Sequence, residues 1–160
     1  MKMDLAGLVA RVLQDERPEN VDASATTVTN EGPEVEIVIV AHRDLDGLSL
    51  VAITDKRGAR VLWAQVRDLS YHDDLDLGVV TERISYEGDW QGRLREALVT
   101  ELRRPIRLHP LRGFLRAPRV ECWTAVDDKD KRIATLRAPK GHVPGAMPEV
   151  TSLAGSRSAH

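Results

Sequence analysis

Apolar positions recur at two different periods along this chain, and the switches between them set the expected order of elements. Leu5, Leu8, Val9, Val12 and Leu13 keep helical spacing behind Asp4, which suits an N-cap. Pro18 ends that run because it cannot continue the backbone ladder. From Val21 the pattern changes. Val21–Thr29 is rich in β-branched residues, Asn30-Glu31-Gly32-Pro33 forms a turn cluster, and Val35–Ala41 is apolar everywhere except Glu36. A strand of that composition is covered on both faces, so it is expected in the middle of its sheet. After a tight turn at Asp46-Gly47, Leu48–Thr54 and Ala59–Val66 flank Asp55-Lys56-Arg57-Gly58 as a hairpin.

Asp68–Gly88 lacks a clear period up to a short strand at Val79–Ser85. The strongest helix follows, with Asp89 at the N-cap and Trp90, Leu94, Ala97, Leu98 and Leu102 on one face. Arg103 and Arg104 fall in its last turn, where they complement the helix dipole, and Pro105 stops it. Ile106–Leu111, Arg119–Val126 and Arg132–Leu136 read as further strands. The blockwise order predicts an α+β fold, with a mostly antiparallel sheet of about six or seven strands and two main helices packed on one side. Residues 1–137 are expected as a single α+β domain. Residues 138–160, with three prolines, three glycines and several serines, read as a tail that stays disordered unless it docks. Within the core, Trp90, Leu94, Leu98 and Leu102 are expected to pack on Val35, Ile37, Ile39 and Ile53.

Composition changes this picture little. Apolar residues are 42 % and charged residues 30 % of 160, which is ordinary for a globular chain. The single cysteine, Cys122, excludes an internal disulfide and a multi-cysteine zinc site, and its mid-strand position suits a core thiol. No apolar run is long enough to span a bilayer, and Met1-Lys2-Met3-Asp4 does not open like a signal peptide, so a cytoplasmic protein without membrane partners is expected.

Charge changes it more. The net charge of −2 hides opposed blocks: residues 68–102 hold 3 basic and 9 acidic side chains, residues 103–140 hold 11 basic and 4 acidic ones. Steering of partners follows such local potentials and not the total. The acidic run around Asp73, Asp74 and Asp76, with Asp89, is therefore the first candidate surface, for a basic protein partner. Arg107, Arg112, Arg116 and Arg119, near Phe114 and Trp123, form the second, because phosphate contact and base stacking need arginines beside aromatics. Third, His72, Asp74 and Asp76 would share one face of an extended segment and could hold a divalent cation.

Other motifs fail on their context. His42-Arg43-Asp44 resembles the catalytic-loop tripeptide of protein kinases, but no other kinase element occurs. Asp44-Leu45-Asp46-Gly47 lacks the downstream ligands of a calcium loop. His72-Asp73 resembles the pair of metal-dependent phosphohydrolases of the HD class, without their helical scaffold. No nucleophile elbow, phosphate loop or dinucleotide fingerprint is found, and no cofactor is implied. The leading expectation is thus a small non-catalytic protein-binding module, comparable in size and element blend to immunity proteins or secretion chaperones. The alternatives are a nucleic-acid-associated protein using the Arg103–Lys140 block, and a metal-dependent hydrolase.

Overall fold

The computed structural model of the chain describes residues 4–41, 48–65, 79–111, 119–126, 129, 132–137 and 150–155. Helix α1 spans Leu5–Glu16 and α2 spans Trp90–Arg103. Both begin as expected: Asp4 Oδ1 accepts from the Gly7 N–H at 2.7 Å, and Asp89 Oδ1 from the Gly92 N–H at 3.1 Å. Helix α1 closes one residue before Pro18. The Arg17 N–H makes the last helical bond, to the Leu13 carbonyl at 2.9 Å, and Arg17 itself takes the left-handed conformation (φ 47°) that turns the chain out of the helix.

The strands are β1 (Val21–Glu31), β2 (Glu34–Ala41), β3 (Leu48–Thr54), β4 (Gly58–Gln65), β5 (Val79–Ser85), β6 (Ile106–Leu111), β7 (Arg119–Val126), β8 (Arg132–Arg137) and β9 (Val150–Thr151). The fold is α+β, and the antiparallel strands divide between two sheets. One is the five-stranded meander β1-β2-β3-β4-β5; the other has the order β8-β7-β6-β9. Between β1 and β2, Gly32 carries φ +59° ahead of Pro33, which matches the backbone handedness of a two-residue hairpin. The turn read at Asp46-Gly47 lies outside the described residues.

Register decides which side chains meet. Ile37 pairs with Ala52 and Ile39 with Leu50, so these four share a face with Val61 and Trp63 of β4. That face receives Leu5, Leu8, Val9 and Val12 of α1 and Leu94, Leu98 and Leu102 of α2, with Val35 and Trp90 at its margin. Ile53 departs from the expected set. It pairs with Glu36 and Arg60, so it points to the opposite side, where it clusters with Val38, Val51, Leu62 and Ala64. The parity of the β2–β3 pairing is the physical reason: in an antiparallel pair, directly opposed residues share a side.

Past residue 138, the segment 150–155 docks. Val150 and Thr151 pair with Arg107 and Ile106 as β9, and Leu153 is fully buried in the helix-side core. The Ala154 N–H donates to the Leu102 carbonyl at 2.8 Å, satisfying the end of α2. The Asn20 N–H donates to the Leu153 carbonyl at 3.0 Å, and Asn20 Nδ2 to the Ser152 carbonyl at 2.8 Å.

The arginines ending α2 make specific ion pairs instead of only facing the helix dipole. Arg103 reaches Glu16 of α1 at 2.9 Å, and Arg95, about two turns earlier on α2, reaches Asp15 at 2.7 Å. Arg104 grips the buried carboxylate of Glu101 with both ends of its fork, at 2.5 Å each. Glu101 also accepts from Trp63 Nε1–H at 2.7 Å, and Arg104 donates onward to the Val126 carbonyl at 3.3 Å. Among the described residues, no helix is long and apolar enough to cross a membrane.

Removing a core side chain from either end of this arrangement should weaken it comparably. Leu98→Ala and Leu153→Ala are each expected to lower unfolding free energy by about 2–5 kcal/mol in denaturant titrations. A change within about 0.5 kcal/mol for Leu153→Ala would show that the terminal segment does not close the core.

Candidate anion-binding cleft

The turn from β3 to β4 is built around one carboxylate. Asp55 Oδ1 accepts from the N–H groups of Arg57 (2.7 Å) and Gly58 (3.2 Å), while the Asp55 N–H donates to the Gly58 carbonyl at 3.0 Å. Gly58 is required for close approach: a Cβ there would stand 2.3 Å from the Ile84 carbonyl oxygen of β5. The far end of β5 is tied to this turn. The Tyr86 hydroxyl donates to the Asp55 carbonyl at 2.5 Å, and its ring meets Trp90 edge-on, with centroids 4.9 Å apart. From α2, Arg93 donates to the carbonyls of Ser85 and Glu87 and fixes the connection between β5 and the helix.

A cleft of about 480 Å³ opens around these paired strand ends. Among the described residues its charged lining is Arg57, Arg60, Arg83 and Arg93 against the carboxylate of Asp55. Arg60 and Arg83 are directly opposed across β4 and β5. Like charges in that position repel, and the cross-strand geometry brings their Cβ atoms to about 4.5–5.5 Å. Asp55 relieves this only in part, since its free oxygen lies 3.7 Å from the Arg60 guanidinium. Arg60 Nε is buried with no hydrogen-bond partner. Such a donor has lost water and gained nothing in return.

Electrostatics keep the cleft's polar groups in fixed states. The Arg57 N–H bond, aided by the Gly58 N–H and the charges of Arg60 and Arg57, holds the Asp55 carboxyl below its ordinary value despite partial desolvation. Burial, then the Asp55 charge, pushes the Tyr86 hydroxyl up. Near neutral pH, Asp55 is therefore ionised and Tyr86 is a neutral donor.

The residues singled out from sequence do not assemble here. Asp89 is exposed, and its side chain is engaged in capping α2. Asp73, Asp74, Asp76 and His72 lie outside the described residues, as do Arg112 and Arg116. Arg107 is exposed on β6, and Arg119 opens β7 opposite Leu111. Among the described residues, no group of three or more His, Cys, Asp or Glu side chains gathers as a metal site. The cleft arginines escaped the sequence reading because Arg83 and Arg93 sit in a block counted as acidic, and only strand register sets Arg83 against Arg60. Comparisons with protein-family models, curated proteins and solved structures give no match for this chain.

Two outcomes test the cleft's electrostatics. Arg83→Glu places a carboxylate opposite Arg60 and should raise stability by about 0.2–1 kcal/mol, read from the denaturant midpoint. Asp55→Ala should lower stability at neutral pH. Because folding depresses the Asp55 pKa, its contribution is present above the unfolded value and fades as pH drops through the folded one. The gap between wild type and Asp55→Ala should thus shrink as pH falls below about 4, in thermal melts run across the acid range.

Proposed function

We propose that this chain is a small non-catalytic protein-binding module that recruits its partner by charge, with the arginine cleft receiving an acidic segment of that partner. The observation that carries this reading is the opposed pair Arg60 and Arg83, for which the described residues offer no compensating charge beyond the distant contact with Asp55. A like-charged cross-strand pair weakens its own sheet, and an external anion would turn that repulsion into binding energy. The setting is suited to the task, since the turn, the β5 end and the start of α2 are tied together by Asp55, Tyr86 and Arg93. The receptor groups thus sit on a rigid frame, which lowers the ordering cost of association.

The partner polarity differs from the first expectation. Asp73, Asp74, Asp76 and Asp89 were the surface read for a basic partner; Asp89 is occupied as a cap, and the cleft favours an acidic one. Resemblance to immunity proteins or secretion chaperones remains one of size and element blend.

The test uses a polyglutamate peptide as probe. Arg57→Glu with Arg83→Glu should slow its association at low salt, with the loss shrinking as salt rises through the range that screens exposed charge. An association rate unchanged by the double variant would refute the reading. Tighter capture of a single-stranded oligonucleotide, with a steep salt dependence, would move the function to nucleic-acid association.

A further inference from the structure

We propose that the group held between Arg60 and Arg83 is a phosphoryl group, carried by a phosphorylated side chain of the partner. This rests on the reading of the cleft as the partner site and names the chemistry it selects.

The argument begins with donors. Arg60 and Arg83 stand opposite each other on β4 and β5, so their forks spring from neighbouring points and can converge on one small group. Each guanidinium presents planar, paired N–H donors that match phosphate or carboxylate oxygens two at a time. Neither Arg57 nor Arg83 makes an ion pair or side-chain hydrogen bond among the described residues, and the buried Arg60 Nε has no acceptor. Asp55 cannot supply one. Its Oδ1 already accepts from two turn amides, and Oδ2 is beyond hydrogen-bond range of Arg60. Arg93 is committed to the carbonyls of Ser85 and Glu87, which leaves it as a positioning residue.

Charge and shape then discriminate between anions. A carboxylate brings one negative charge and two coplanar oxygens. A phosphoryl group brings about 1.5 to 2 negative charges and three acceptor oxygens splayed tetrahedrally. Two forks facing across a strand pair, with Arg57 on the adjoining turn, hold more donors than one carboxylate can fill.

Amide NMR titration of the full chain gives the test, with inorganic phosphate and acetate compared at matched ionic strength. A second arm compares a phosphoserine peptide with its glutamate counterpart. Phosphate should produce saturable shifts at Gly58, Arg60 and Arg83, acetate should not, and the phosphoserine peptide should bind more tightly than free phosphate. Arg60→Gln and Arg83→Gln should each weaken phosphate binding about tenfold or more, the loss expected for a charge-assisted hydrogen bond. Arg83 is exposed, and a melting temperature for its variant that does not fall would assign any loss to the site and not to misfolding. Equal binding of acetate, or of the glutamate peptide, would overturn the phosphoryl assignment while leaving an acidic-partner cleft in place. Binding of phosphate without any gain from the phosphoserine peptide would overturn the protein-borne source. No response to any of these probes would remove both this inference and the function it rests on.

Discussion

Strand β3 is buried on both faces from Leu48 to Ile53, and this demand for two-sided cover organises the rest of the molecule. A half-buried strand needs one apolar layer beside it; this one needs two. On one side the cover is α1 and α2, with Ile106, Ala125 and Leu153 filling the margin. The opposite face is a separate apolar cluster made by the sheet's own strands, with Val38, Val51, Ile53, Leu62 and Ala64 extended by Val40 and Val80. The buried stretch is not wholly apolar. Ser49 is fully buried and its hydroxyl lacks a partner, a cost of about 1–3 kcal/mol that the surrounding burial must offset.

The link between the helical layer and the sheets is polar. Trp63, Glu101 and Arg104 form a chain from β4 through α2 to the Val126 carbonyl of β7, and the two steps onto the Glu101 carboxylate are short. Apolar layers can slide over one another at small cost; a buried carboxylate with fixed donors on two sides cannot. The exposed pairs Arg95–Asp15 and Arg103–Glu16 add orientation between the helices, at a worth of about 0–1 kcal/mol each.

Much of the fold was legible because local chemistry dictated it. Asp4 and Asp89 were readable as caps, and the runs at Leu48–Thr54, Val79–Ser85 and Ile106–Leu111 were readable as strands of the observed extent. Register was not readable. In β3 both parity classes are apolar, so nothing in the composition says whether Ile53 or Ala52 faces the helices. The same gap hid the cleft. Arg60 and Arg83 lie 23 positions apart in sequence, each unremarkable in its own strand, and become a pair only through the β4–β5 register. The docking of 150–155 was hidden for a different reason: two strand residues and one leucine are too few to show a period, and their energy comes from a pocket assembled by other segments.

The seating of Leu153 also bears on synthesis. The helix-side core contains one side chain that is made some fifty residues after Leu102, whose carbonyl the neighbouring Ala154 amide satisfies. A ribosome adds about 5–20 residues per second, so the sheet and both helices emerge seconds before the residue that fills their last gap. During that interval the nascent chain has secondary structure but an unsealed interior with an unmet carbonyl at the end of α2. Chains released early would keep that defect permanently. A chain without Leu153 would therefore carry an unfilled site in the helix-side core, where solvent and proteases gain access.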